Sequence, residues 1–255
     1  MTQIDLNADL GESFGSWSKG QDEALMTSIS SANVACGFHA GDPSVMRNTV
    51  WLARQHGVAI GAHPGFPDLA GFGRRDIHAS PREIEDFVLY QVAALAGVAA
   101  AQRVGLQHVK AHGALYTMAC RDAQIAEAIA RAVAALDRGL ILFGLPGSEL
   151  LRAGERAGLA VAAEAFADRA YEPDGSLTSR QNAGSVIHDP EEVVSRAVRM
   201  VTRGEVVATD GSVVQLRATT ICVHGDTPDA ATLATRIRAG LDAAGVSVKP
   251  LSTTL

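Results

Sequence analysis

The stretch IDLNADLGE, residues 4–12, alternates strictly: Ile4, Leu6, Ala8 and Leu10 fall on one face of a strand, and Asp5, Asn7 and Asp9 on the other. The apolar face suits a cover of helices. The polar face needs an interior or a cleft that tolerates carboxylates, and the mouth of a parallel barrel is such a place.

Working outward, six more short strand-like runs recur between helical segments: SANVACG (31–37), VAIGAHP (58–64), HVKAHGA (108–114), LILFGLP (140–146), AVAAEAF (160–166) and TTICVHG (219–225). Strands that alternate with helices signal βα units and a parallel sheet. The 255 residues suit either one α/β barrel or two smaller domains. No repeat or low-complexity linker divides the chain, so one β/α-barrel domain over 1–255 is expected. A Rossmann-like sheet is the alternative, but no G-x-G-x-x-G follows a strand.

Helix starts are well marked. Asp42-Pro43, Ser80-Pro81, Asp189-Pro190 and Thr227-Pro228 each set a capping side chain before a proline suited to the first helical position. Glu83 and Glu192 stand three residues after Ser80 and Asp189, as in a capping box. Helices are therefore predicted to begin near 43, 81, 190 and 228, with the longest over 83–102 and another over 122–136. Residues 204–216, GEVVATDGSVVQL, place β-branched residues around Asp210-Gly211 and predict a β-hairpin with a tight turn, inserted before the last barrel strand.

A formal net charge of −6 and a pI near 5.7, without a Lys/Arg cluster, argue against a nucleic-acid partner. The N-terminus lacks a signal-like pattern and no apolar run approaches about 18 residues, so no membrane is expected and a cytoplasmic location fits. Cys36, Cys120 and Cys222 are odd in number and widely separated, which points to reduced, buried thiols.

Ionisable residues gather at the expected strand ends: Asp9 and Glu12, His39, His63, Lys110 with His112, Glu164 with Asp168, and His224 with Asp226. Parallel α/β sheets place their sites there. Two imidazoles and a carboxylate from the first three strands, Asp9, His39 and His63, could hold a divalent metal with a position open for water. Against that stands the plain reading that each histidine bonds a neighbouring backbone group. Lys110 and His112, two apart, face one way, and His224 and Asp226 share a parity that suits an oriented acid–base pair or simply a satisfied strand end. The glycine-rich connection 64–78 carries Arg74 and Arg75, which could meet a carboxylate or phosphate or could simply be solvated. Residues 166–184 offer Asp168, Arg169, Tyr171 and Arg180 on a second long loop, which has the character of a lid. No Walker A motif and no G-x-S-x-G elbow occurs, so nucleotide use must rest on a different site or another chain.

The blocks DLNADLGESFG, ANVACGFHAGDP, GAHPGFPDLAGFGRR, VKAHGALY, EAFADRAYEPDGSLTSR and CVHGD together resemble the LamB/YcsF family, the A subunits of prokaryotic ATP-dependent 5-oxoprolinase. The resemblance runs from residue 4 to about residue 250. It implies a distorted seven-stranded, TIM-like β/α barrel of the glycoside hydrolase/deacetylase type. It further implies cleavage of 5-oxoproline to L-glutamate coupled to ATP hydrolysis, together with subunits B and C. On that reading Asp9, His63, Lys110, His112, Glu164, Asp168, His224 and Asp226 form the catalytic set. Asn7, Arg74, Arg75, Arg169 and Arg180 bind substrate or phosphate, and Asp9, His39 and His63 would hold a divalent ion if there is one. Two other readings stay open: a stand-alone metal-dependent amidohydrolase or polysaccharide deacetylase, and a non-catalytic lactam-binding protein that leaves the chemistry to its partners. A homo-oligomer is also open.

Overall fold

The alternation of residues 4–10 builds β1 (Thr2–Leu10) in a computed structural model that describes residues 2–223 and 229–252. After it come α1 (Asp22–Met26), β2 (Ser31–Ala35), α2 (Pro43–His56), β3 (Ala59–His63), α3 (Pro81–Ala101), β4 (His108–Val109), α4 (Gly113–Ala119) and α5 (Ala123–Leu136). The chain continues with β5 (Ile141–Gly144), α6 (Glu149–Arg156), β6 (Ala160–Phe166), α7 (Pro190–Arg203), β7 (Glu205–Val207), β8 (Val213–Gln215), β9 (Thr220–Val223), α8 (Ala230–Ala243) and β10 (Val246–Val248). Strands β1 to β6 pair in sequence and in parallel, β9 follows β6, and β9 closes on β1. The result is a closed seven-stranded parallel barrel wrapped by helices. β10, which no sequence signal announces, lies parallel to the start of β1 with Thr2 opposite Val246.

Both faces of β1 are buried, for opposite reasons. Ile4, Leu6, Ala8 and Leu10 join the large apolar cluster between barrel and helices. Asp5, Asn7 and Asp9 point into a barrel interior shared with other polar groups. Ser30, Ser31 and Thr220 each donate a hydroxyl to Asp5, Asn7 donates to Thr220 (2.7 Å), and Asn33 donates to Asn7 (2.7 Å) and Asp9 (2.9 Å). Burial pushes the Asp5 carboxyl above its usual range, opposed by those three hydroxyls. Opposite this polar chain, Ile141, Phe143 and Ala162 make a small apolar plug against which Ala160 and Leu251 pack.

His108 joins the two zones: its ring stacks on Phe143, with centroids 4.3 Å apart, and its Nε2 lies 2.8 Å from Asn33 Oδ1. Residue 61 must be glycine for this ring to fit, since a Cβ there would fall 2.1 Å from it. Burial, helped by the nearby Lys110 charge, holds the His108 pKa down to about 3. An unfolded histidine titrates near 6.5, so the unfolded chain binds the extra proton between those values. Stability from this group is complete above about pH 6.5 and is lost as pH falls toward 3, by up to about 4–5 kcal/mol. Urea unfolding across that range should show a shallower acid loss for His108→Gln than for the wild type; an identical slope would remove His108 as the cause.

The marked helix starts behave as their chemistry requires. Asp42 accepts from the backbone N–H groups of Ser44 and Val45, and Ser80 and Glu83 close a full capping box. Asp189 accepts from Glu191 N, without the reciprocal bond expected of Glu192. The start expected at 228 lies outside the described residues, and α8 is described from Ala230. At residues 204–216, β7 and β8 pair antiparallel with Glu205 opposite Gln215. Their connection spans 208–212, so it is longer than the tight two-residue turn expected at Asp210-Gly211. Segment 108–114 is not one strand: pairing stops at Val109, and α4 begins at Gly113.

α3 corrects the expectation about apolar runs. Its 18-residue window of mean hydropathy 1.5 is long and apolar enough to cross a membrane, though interspersed polar residues hide it from a count of consecutive apolar ones. Here Ile84, Val88, Val92, Leu95 and Ala99 pack inward as one face of a barrel helix. All three cysteines are free thiols.

Candidate functional site

The polar face of β1 ends at Asp9, and from there two clusters form at the carboxyl ends of the strands. The first surrounds Lys110, which follows β4 and is buried to 2% exposure. Its Nζ lies 2.9 Å from Asp9 Oδ1, 2.9 Å from Glu164 Oε1 and 2.9 Å from Cys222 Sγ. The ammonium donates to Asp9, to Cys222 and, at 3.4 Å, to Asn7, while Glu164 stands beside it as an ion-pair partner without a hydrogen bond. Burial pulls the Lys110 pKa down, but Asp9, Cys222 and Glu164 outweigh it and hold it well above the ordinary lysine range. Burial pushes the Cys222 thiol well up, opposed by Lys110 and helped by Asp9 and Glu164. Tyr116 stands one helical turn beyond His112, beside Glu164; burial and that carboxylate raise its phenol well above the usual tyrosine range.

The second cluster is made of Glu12, His39, His63 and His112, all buried, with one ligand atom from each lying within 4.8 Å of the others. His63 Nδ1 is 2.7 Å from the Lys110 carbonyl oxygen, and His112 Nε2 is 2.9 Å from that of Phe72. His112 Nδ1 and His63 Nε2 face each other at 3.0 Å, and the rings of His39 and His112 stack with centroids 3.7 Å apart. Burial, reinforced by the neighbouring imidazoles, keeps His39 and His112 well below the usual histidine range. Asp9 links the clusters, with its Oδ1 3.4 Å from His63 Nε2. This His/Glu group could bind a metal ion. Of the three expected ligands, His39 and His63 belong to it, while Asp9 Oδ1 is turned toward Lys110 and Asn33.

Both clusters open on a cavity of about 410 Å³ that Asp9, His63, Lys110 and His112 line from below. That volume is in the range of small-molecule sites. Phe166 and Tyr116 form its apolar wall, and Arg74, Arg121 and Arg180 line it together with Asp76.

The other expected site residues separate by location. Arg75 points away and pairs with Asp68. Arg169 reaches the cavity wall but also fastens its own loop, donating to the Ser185 (3.1 Å) and Thr178 (2.6 Å) carbonyls. Burial and the nearby Arg180 charge bring its pKa down to about 10. Those bonds, with Arg196 donating to the Ala167 and Arg169 carbonyls, pin the base of the loop expected to act as a lid. Asp168 is buried at the foot of that loop. Glu164 is fully buried behind Lys110, and Asn7 is buried deeper in the barrel. His224 and Asp226 lie outside the described residues. Tyr116, Arg121, Asn33 and the clustering of Glu12 are not anticipated from the sequence, although HGALY holds a signal: in a helix from Gly113, Tyr116 comes one turn after His112.

A match over residues 4–255 to the LamB/YcsF family model covers nearly every element of this barrel. The chain belongs to the LamB/YcsF family. A relative from Methylococcus capsulatus, named as the A subunit of 5-oxoprolinase, is 58% identical over 248 residues, 97% of this chain and 95% of its own length. The crystal structure of a lactam utilization protein from Thermus thermophilus superposes with a TM-score of 0.93 at 50% identity, covering 98% of this chain and 100% of that one. A T48 deacetylase solved with substrate superposes at a TM-score of 0.50 and 16% identity, over 97% of this chain and 87% of that one. This last likeness reaches only to the fold, and extends the LamB/YcsF barrel to deacetylase-type architecture.

Proposed function

We propose that this chain is the A subunit of an ATP-dependent 5-oxoprolinase and that its arginine-lined cavity is where the lactam ring opens. The observation that carries the reading is identity above half, over almost the full length of both chains, to relatives named for that component of the enzyme. The cavity supplies the means: a carboxylate and an imidazole on its floor, and cationic side chains around its wall.

A five-membered lactam resists hydrolysis because its amide is resonance-stabilised and its amine and acyl carbon stay close together. Phosphorylation of the amide oxygen by ATP removes that obstacle. Water then adds to the activated ring carbon, the ring nitrogen leaves with a proton to give γ-glutamyl phosphate, and a second water releases phosphate and glutamate. Asp9, with the histidine cluster beside it, is placed to handle the attacking water. The Lys110 carbonyl accepts from His63 Nδ1, which fixes the ring with Nε2 beside Asp9 at the cavity floor. Arg74, Arg121 and Arg180 bring more positive charge than one substrate carboxylate needs, which suits a phosphorylated substrate. The chain carries no nucleotide-binding fingerprint, so we assign phosphoryl transfer to subunits B and C.

Glutamate release from 5-oxoproline should be absent with this chain alone and appear, in proportion to ATP consumed, when subunits B and C are added. Release by this chain alone without ATP would replace the proposal with a solitary amidohydrolase. Full activity of the mixture with the cavity residues substituted would reduce this chain to a lactam-binding role.

A further inference from the structure

The facing nitrogens of His63 and His112 need something positive between them. A carbonyl oxygen only accepts, so the contacts to Lys110 O and Phe72 O put the ring protons on His63 Nδ1 and His112 Nε2. The other two nitrogens, His63 Nε2 and His112 Nδ1, then direct lone pairs at each other across 3.0 Å. A proton could bridge that pair, but it would do nothing for the remaining groups. Glu12 Oε1 lies 3.7 Å from His39 Nε2 and 3.7 Å from His112 Nδ1. His39 is fully buried, and neither of its ring nitrogens has a hydrogen-bond partner among the described residues. A buried imidazole without a hydrogen-bond partner is a costly arrangement to keep unless a ligand completes it.

The backbone makes room for this cluster at its own expense. A Cβ on Gly65 would fall 2.7 Å from His39 Nδ1, and one on Gly73 would fall 2.8 Å from His39 Cβ and 2.9 Å from His112 Cδ2. Gly73 also sits at φ +63, where a side chain would be strained. The carbonyls behind His63 and His112 are the outer partners that orient metal-ligating imidazoles and fix their tautomers.

We propose that Glu12, His39, His63 and His112 bind one divalent transition-metal ion at the floor of the cavity. Three imidazoles and one carboxylate suit zinc, manganese, cobalt or iron rather than calcium or magnesium, which take mostly oxygen. The stacked rings of His39 and His112 set a condition. Their planes differ by 4°, so an ion in the plane of one lies outside the plane of the other. His112 is held by Phe72, whereas His39 has no hydrogen bond to lose, so His39 is the ring that turns to complete the site. When bound, such an ion lowers the pKa of a coordinated water or polarises a carbonyl. The inference shares its cavity with the proposed ring opening, but its ligands are assigned without reference to the substrate.

The test is binding itself. The purified full-length chain, stripped of metal by chelator, is titrated with Co²⁺, read by its visible absorption and by elemental analysis after gel filtration. One ion per chain is expected for the wild type, with binding at least about tenfold weaker in His39→Ala and in His112→Ala, each shown to be folded by circular dichroism. Less than one-tenth of an ion per folded wild-type chain, or unchanged affinity in both variants, would overturn the site. Because the readout is metal content, failure of the oxoprolinase assay leaves this result unaffected.

Discussion

Lys110→Met is expected to lower the unfolding free energy by about 3–5 kcal/mol, the range for removing one partner of a buried ion pair. Methionine fills much of the same volume, so the loss is electrostatic rather than a cavity effect. It leaves Asp9 and the fully buried Glu164 on one side of the barrel without the cation that lies 2.9 Å from each. A second signature follows from linkage. With the ammonium gone, two buried carboxylates share one side of the barrel without a counter-charge, and uptake of a proton at the site relieves that cost, so the variant regains stability as pH is lowered toward the carboxylate range. Urea unfolding at about pH 7 and about pH 5 should therefore show a smaller gap from wild type at the lower pH. Adding Glu164→Gln to Lys110→Met should restore part of the loss at neutral pH, because one of the two orphaned charges is removed. A loss below about 1 kcal/mol, or one indifferent to pH, would show that this ammonium does not hold the site together.

His63→Ala is expected to reduce kcat for ATP-coupled glutamate release by about 10²–10⁴-fold when assayed with subunits B and C, with little change in KM. The side chain places Nε2 beside Asp9 at the cavity floor, where the attacking water is handled, and contributes little to the cation-lined wall. The fold should survive, since β3 and β4 stay paired through their backbones when the ring's bonds to the Lys110 carbonyl and to His112 are lost. Asp9→Asn keeps a polar group near Asn33 and tests the neighbouring carboxylate separately. Turnover within twofold of wild type for His63→Ala, in a variant that melts normally, would take activation of the water away from this residue.

Much of this barrel was legible because local rules and the tertiary fold agree. The two-residue period of 4–10 holds in β1, and the Asp-Pro and Ser-Pro pairs start α2, α3 and α7 where capping chemistry puts them. Short elements were not legible. β10 has three residues and exists by pairing with β1, and α4 is hidden in a run whose first half is a strand. At the site, Asp9, His63, Lys110 and His112 converge because strand ends of a closed barrel must. Which of two adjacent arginines faces inward depends on a partner elsewhere in the loop, and Asp68 draws Arg75 away while Arg74 lines the cavity. Likewise, Glu12 meets three histidines through loop placement, for which no periodicity speaks.

The bond between Asp5 and Thr220 spans 215 residues and ties the first strand made to the last one in the barrel. On the ribosome, at about 5–20 residues per second, β1 waits on the order of 10–40 s before β9 is synthesised. During that interval its apolar face can already be covered by early helices, while its carboxylates lack the hydroxyl of Thr220 and the flank that β9 provides. Closure of this barrel is thus a late, long-range event by construction. A circular permutant that begins at β9 and runs on into β1 would present the closing pair first, and should reach the native state by a different order of assembly.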